Sequence, residues 1–255
     1  MRKSAFFLAL LCVTASFPVS YLFSQPALPI ADGLGAFWNI SSSRIQKIDV
    51  QGNVLQTYSN ISLGAPATID TSDPFRILVF YKESQQIVTL NSDAAIIGTP
   101  FNISELFLGE ITQVCRSARG GFWIFQRESS EVIHFDEKFK PTGAKFSVIP
   151  NSPNAEIDFM VEHKGTIYLG LSGKKIARYD IYGAEQPSVE LPYGSIRFEN
   201  DFVWICHNKT ISKYDLKNFL LIPESLQCSC EFLPITVKQD VMCFDGEKFK
   251  LCIKN

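Results

Sequence analysis

A motif that returns about every forty residues constrains this chain more than any other feature. Its first half is a short apolar stretch with an aromatic or large residue: Ala36-Phe37-Trp38, Leu78-Val79-Phe80, Gly121-Phe122-Trp123, Ile167-Tyr168-Leu169, Phe202-Val203-Trp204 and Val241-Met242-Cys243. The markers Trp38, Phe80, Trp123, Tyr168, Trp204 and Met242 stand 42, 43, 45, 36 and 38 residues apart. Seven to nine residues after each of the first five comes a second half, apolar-x-x-apolar-Asp/Asn: Ile45 to Asp49, Ile87 to Asn91, Val132 to Asp136, Ile176 to Asp180 and Ile211 to Asp215.

Turn chemistry accounts for the acid that closes this second half. Asp49-x-x-Gly52, Asp180-x-x-Gly183 and Asp215-x-x-Asn218 set a side-chain acceptor at the first position of a type I turn. A residue tolerant of positive φ follows three places on, as in a hairpin with a bulge. These acids read as turn caps, not catalysts. Gly120 and Gly121 read as another hairpin turn, ahead of the Trp123 stretch.

Further strand candidates precede five of the markers, at 67–70, 111–115, 157–161, 195–199 and 233–237. Others follow the turns, at 54–58, 94–97, 144–149, 187–191 and 219–222. Dense β-branched and aromatic runs without long 3.6-residue periodicity exclude a helical solenoid. Four short strands per period, repeated radially, define an all-β β-propeller. Six markers predict six blades of four antiparallel strands; five or seven stay open because the first and last copies are incomplete. The last copy has no room for a fourth strand before Asn255. Closure of the ring then falls to the N-terminal segment near Leu28–Ile30, which requires residues 26–31 to be ordered. With no linker between copies, residues 25–255 form one domain.

Residues 1–24 read as a secretory signal peptide: Arg2 and Lys3, an apolar run from Ala5 to Val13, then the small residues Thr14, Ala15 and Ser16. Cleavage after Ala15 competes with cleavage after Ser24, because apolar character resumes through Val19, Tyr21, Leu22 and Phe23. An uncleaved anchor is the alternative, although Pro18 interrupts it. Acylation at Cys12 is disfavoured, because Leu11 stands where a bacterial lipobox takes a small residue. Without Arg2 and Lys3 the mature chain holds 22 basic against 26 acidic residues. With no basic excess, nucleic-acid binding has no electrostatic support. A composition 46% hydrophobic and 20% charged is that of an ordinary globular domain and excludes disorder.

Six cysteines follow the leader: Cys115, Cys206, Cys228, Cys230, Cys243 and Cys252. Export permits disulfides without fixing their connectivity, and small buried hydrophobes on strands are the alternative. Cys228-Ser-Cys230 is not a zinc knuckle and has no His at ligand spacing. Sequons at Asn39, Asn60, Asn102 and Asn208 matter only if the source glycosylates.

The stretch IDTSDPFRILVFYK from Ile69 to Lys82, with IVTLN from Ile87 to Asn91, resembles an uncharacterised family of exported six-bladed propellers of Bacteroidota-type bacteria with NHL-like repeats. The resemblance covers most of the chain after the leader. It implies a periplasmic or outer-membrane-associated protein and brings no catalytic residues with it.

No catalytic or metal constellation is legible, and no cofactor motif. The map puts His163 and His207 on opposite faces and His134 inside a third strand. Two places remain for function. Asp70, Gln113, Asp158 and Arg197 fall on strands lining the central channel, and the charged three, Asp70, Asp158 and Arg197, are the candidates for holding a small polar or carbohydrate ligand. The connection from Gly98 to Glu110 gathers Phe101, Leu106, Phe107 and Leu108, and Phe101, Leu106 and Phe107 are the candidates for a protein partner. A short helix from Ser104 that folds this segment onto the ring is the competing reading. The expectation is a monomeric, non-enzymatic scaffold with an envelope protein as partner, which meets a membrane only through an uncleaved or acylated N-terminus. A channel enzyme or receptor is the alternative.

Overall fold

The second strand of each of the first five repeats buries residues on both sides, and this organises the molecule. In the computed structural model, which describes residues 29–106, 109–148, 156–207, 210–223, 235–237, 240–244 and 249–251, all five residues of Ile77–Tyr81 are buried. Ile77, Val79 and Tyr81 pack into one apolar cluster, and Leu78 and Phe80 into another. Alternate side chains of a strand point to opposite faces, so a strand filled with apolar residues has a neighbouring layer on each side. The Trp123 strand repeats the arrangement: Phe122 and Ile124 join the cluster with the preceding repeat, Trp123 and Phe125 that with the following one.

Five four-stranded antiparallel sheets follow one another with strands in sequence order, the architecture of a β-propeller. Blade 1 comprises Ile30–Ala31, Phe37–Ser41, Arg44–Ile48 and Val54–Ser59. Blade 2 comprises Thr68–Asp70, Ile77–Tyr81, Gln86–Leu90 and Phe101–Asn102. Blade 3 comprises Ile111–Arg116, Phe122–Gln126, Glu131–Phe135 and Pro141–Ser147. Blade 4 comprises Ile157–His163, Thr166–Leu171, Lys175–Asp180 and Glu185–Val189, and blade 5 Ser195–Glu199, Phe202–His207, Thr210–Asp215 and Leu220–Pro223. A three-stranded sheet of Ile235–Val237, Asp240–Phe244 and Phe249–Leu251 comes last. Among the described residues the core is four apolar layers between successive blades.

In place of the expected six blades of four strands, the described residues form five four-stranded blades. Ile30 and Ala31 pair with Trp38 and Phe37 as the first strand of blade 1, and among the described residues no pairing joins the N-terminal segment to the last sheet. Blade 1 lacked a first strand in the repeat map, and this segment supplies it. Residues 1–28, with the leader and its cleavage sites, lie outside the described residues. In blade 2 the fourth strand is Phe101–Asn102, paired with Ile87 and Gln86, whereas Ile96 makes only an isolated bridge to Leu90.

The turn chemistry holds for the acids and for Gly52 and Gly183, but in blade 5 the positive φ falls on Phe219, at 55°, one place after the expected Asn218. Asp49 Oδ1 accepts from the Gln51 and Asn53 N–H groups at 2.9 and 2.8 Å, and Gly52 has φ 85°. Asp180, Asp136 and Asn91 repeat the pattern, and Asp215 accepts from Lys217 and Asn218. Where blades 1 and 4 use Gly52 and Gly183, blades 2 and 3 place Ala94 and Phe139 at φ 59° and 60°. Two sequon asparagines also act as local caps, Asn60 accepting from Ser62 N and Asn102 from Ser104 N. Cys115 and Cys206 are buried, and Cys115 is a free thiol.

Candidate functional site

Chain direction defines two faces. First-to-second and third-to-fourth connections emerge on one, called upper here, and second-to-third hairpins and blade-to-blade links on the other, the lower. The first strands of blades 2, 3 and 4 lie side by side, so their last residues stand at the upper mouth of the channel and their first residues at the lower.

The three charged channel residues do not converge. Asp70 ends its strand at the upper mouth, where its Oδ2 accepts from the Arg116 N–H of blade 3 at 2.8 Å and its Oδ1 from Ser72 N. Asp158 is the second residue of its strand, at the lower mouth. Its Oδ2 accepts from Tyr193 Oη and Gly173 N, both at 2.6 Å. Arg197 lies mid-strand between Ile196 and Phe198, which pack on blade 4, and pairs with Glu199 at 2.9 Å. Burial pulls the Arg197 guanidinium below its ordinary pKa, and Glu199 works against that shift. Arg197 Nη1 is buried without a hydrogen-bond partner. Gln113 is buried and donates to the Ile157 carbonyl of blade 4 at 2.8 Å, joining two blades.

The expected partner loop is folded inward where it is described. Phe101 stacks on Phe139 of blade 3 with centroids 3.9 Å apart, and Leu106, at the end of the 3-10 turn Ile103–Leu106, packs on the layer between blades 2 and 3. Phe107 and Leu108 lie outside the described residues.

The upper face carries what sequence reading missed. Leu34, Phe75, Tyr182 and Phe219 are 57%, 63%, 80% and 52% exposed, each on an upper turn of a different blade. Arg119 lies 5.8 Å from both the Trp123 and Tyr182 rings, and Arg178 4.7 Å from Phe219. On the lower face Ile61, 84% exposed, is the one large apolar residue so displayed among the described residues, the other exposed ones lying on fourth strands or leading into them.

Between blades 2 and 3 the upper rim holds an ion network. Buried Arg116 reaches Glu137 at 3.4 Å and Asp73 at 3.8 Å, and Arg76 also binds Glu137. Burial opposes ionisation of Glu137, but the Gly121 N–H and the two guanidiniums outweigh it and hold the carboxyl below its usual range. Farther round, Lys164 and Lys217 flank Asp201 at 2.5 and 2.7 Å and lower its pKa to about 2. Every cation of these two networks meets a carboxylate, which gives them an architectural role.

The histidines are dispersed. His134 is buried, with Nε2 3.0 Å from the Gly120 carbonyl and Nδ1 3.0 Å from Thr142 Oγ1, and burial depresses its pKa. His163 ends an inner strand at the upper face, 2.6 Å from the Asn200 carbonyl, whereas His207 ends a second strand at the lower. Among the described residues no three His, Cys, Asp or Glu side chains are placed to share a metal ion.

No protein-family model matches the chain, and no curated protein matches it in sequence. Among solved structures, a streptogramin B lyase is 14% identical with a TM-score of 0.59, the match covering 94% of this chain and 82% of that one. A protein of unknown function from Bacteroides caccae is 12% identical with a TM-score of 0.58 over 83% of both chains. A virginiamycin B lyase from Staphylococcus aureus, solved with quinupristin, is 16% identical with a TM-score of 0.51. That match covers 71% of this chain, which spans 62% of the length of that lyase. At such identities the likeness shows the β-propeller fold, and a fold hosts many functions.

Proposed function

We propose that this protein is an exported, non-enzymatic β-propeller that binds another protein of the cell envelope through its upper face. The observation that carries the reading is the display of Leu34, Phe75, Tyr182 and Phe219 on upper turns of blades 1, 2, 4 and 5. Large apolar side chains held in water on separate turns suit a broad polypeptide contact better than a single small ligand, and aromatic residues dominate such contacts. The surface thus moves to the face opposite the Gly98–Glu110 connection, because Phe101 and Leu106 are taken up by the layer between blades 2 and 3. The N-terminal pattern of Arg2, Lys3 and an apolar run supports export. Periplasmic or outer-membrane placement rests on the Bacteroidota-type resemblance, with which the Bacteroides caccae likeness agrees at the level of fold.

The same reading takes the three-stranded sheet as a sixth blade between blades 5 and 1. Phe37 and Ile48 in blade 1, and Trp204, Cys206 and Ile211 in blade 5, lie on the sides turned away from blades 2 and 4, yet are buried. Burial there calls for a covering layer, and a closed ring leaves no unmatched apolar face.

A photo-crosslinking residue at position 182, compared with one at position 61 on the lower face, tests the surface in native envelope fractions. A protein adduct of defined mass from position 182 and none from position 61 is expected; the reverse pattern overturns the assignment.

A second reading, a receptor for a small polar or carbohydrate ligand in the channel, is favoured by buried Arg197 Nη1 without a hydrogen-bond partner. Asp70 and Asp158 would then act at opposite mouths. Glycan-array binding lost in Arg197→Gln would support it, and no glycan binding by the intact protein would remove it.

A further inference from the structure

We infer that the lower corner between blades 4 and 5 is a binding pocket for an uncharged small molecule with a compact hydrocarbon body and one hydroxyl or amide head. The cavity there has a volume of about 260 Å³. Leu191, Pro192, Ile205 and Leu221 give it apolar walls, and His207, Thr210 and Ser212 a polar one.

Strand register explains both its position and its polarity. Ile205 pairs with Ser212 and His207 with Thr210, so these four side chains share one side of blade 5. It is the side facing blade 4, since Ile205 packs in the layer between the two blades. In blades 3 and 4 the place of Ser212 is taken by Ile133 and Ala177, the cross-strand partners of Ile124 and Leu169, and both are buried in interblade layers. Serine is smaller than the isoleucine of blade 3, and unlike the isoleucine and alanine of blades 3 and 4 it puts a hydroxyl on the wall. Leu191 and Pro192 of the link from blade 4 to blade 5 face it across the cavity. Exposed Thr210 and Leu221 mark the open rim.

Three properties fix the ligand class. An apolar cavity of roughly 150 Å³ is known to hold benzene, so this one has room for a substituted ring but none for a strand or helix. Among the described residues no Lys, Arg, Asp or Glu lines it, so an ion there would lose hydration without a counter-charge from them. The Thr210 and Ser212 hydroxyls donate and accept, which matches a hydroxyl or amide head and leaves the hydrocarbon against Leu191 and Ile205. Neither the upper protein-binding face nor the central channel takes part, so the inference stands apart from the proposed function.

Benzyl alcohol and toluene serve as probes, followed by amide chemical shifts of the whole protein. Benzyl alcohol is expected to give saturable shifts centred on Ile205 and Ser212 and to bind more tightly than toluene. Ser212→Leu, which refills the cavity, should weaken binding at least about tenfold. Thr210→Val, at the exposed rim where folding is not at risk, should weaken benzyl alcohol and leave toluene unchanged. Undiminished binding by Ser212→Leu, shifts scattered over the surface, or equal affinity for the two probes overturns the inference. If Ser212→Leu does not fold, an unchanged benzyl alcohol affinity in Thr210→Val overturns it alone.

Discussion

The Trp123 indole Nε1 of blade 3 donates to Glu162 Oε2 of blade 4 at 2.6 Å, a hydrogen bond that crosses the layer between two blades. The other oxygen of Glu162 accepts from Ala118 N at 3.3 Å, so one carboxylate holds both the marker residue and the upper turn of the neighbouring blade. A related bond lies within blade 5, where Trp204 Nε1 donates to Glu199 at 2.8 Å. In both pairs the indole comes from the marker position and the acid from the end of an inner strand.

Glu162→Ala leaves the buried Trp123 N–H without its acceptor and should cost about 1–3 kcal/mol. Glu162→Gln keeps an acceptor and should cost about half as much or less. Urea unfolding followed by tryptophan fluorescence measures both, and equal losses from the two variants would show that packing, not the hydrogen bond, holds the blades together.

Acid should weaken the protein through His134. Burial lowers its folded-state pKa below the ordinary value near 6.5, so the unfolded chain takes up a proton first as pH falls. The contribution is complete above about pH 6.5 and is lost as pH drops through the folded-state pKa. Urea midpoints measured from pH 7 to pH 5 should decline in the natural protein and stay flatter in His134→Gln; parallel declines would assign the effect to other groups.

Two turn positions should respond in opposite directions. A Cβ on Gly121 would sit 1.9 Å from the Phe135 carbonyl oxygen at φ +76°, so Gly121→Ala should cost about 3 kcal/mol or more. Ala94 is already at φ 59°, where a side chain costs about 1 kcal/mol, and Ala94→Gly should be neutral or stabilising by up to that amount. Thermal midpoints of the two variants give the comparison directly.

Much of the fold was legible because its causes are local. Asp49, Asp180 and Asp215 announce their turns by a side chain that reaches the next few N–H groups, and the markers announce strands buried on both sides. The fourth strand of blade 2 was misplaced because Ile96 and Ile97 look like strand residues. They are half exposed, and Phe101 pairs with Ile87 instead, where it gains the Phe139 ring. Channel residues were legible as strand members but not as neighbours. Position within a strand sends Asp70 to the upper mouth and Asp158 to the lower, and only register fixes that. Phe75 and Tyr182 went unnoticed because an apolar residue inside a polar turn breaks no period. Their signal is that very isolation: Phe75 follows Asp73-Pro74, and Tyr182 lies inside the Asp180 to Gly183 turn.

The central claim is that a partner protein engages the upper face. Tagged protein purified gently from native envelope fractions, in its natural form and as the Phe75→Asp/Tyr182→Asp double variant, tests it most directly, with Ile61→Asp as the lower-face control. Both replaced residues are exposed, so thermal midpoints should stay within about 1 kcal/mol of the parent. The account predicts a stoichiometric partner with the natural chain and the Ile61→Asp control, reduced at least about tenfold in the double variant. Equal recovery of the partner by the double variant, or its loss in Ile61→Asp instead, would contradict the account.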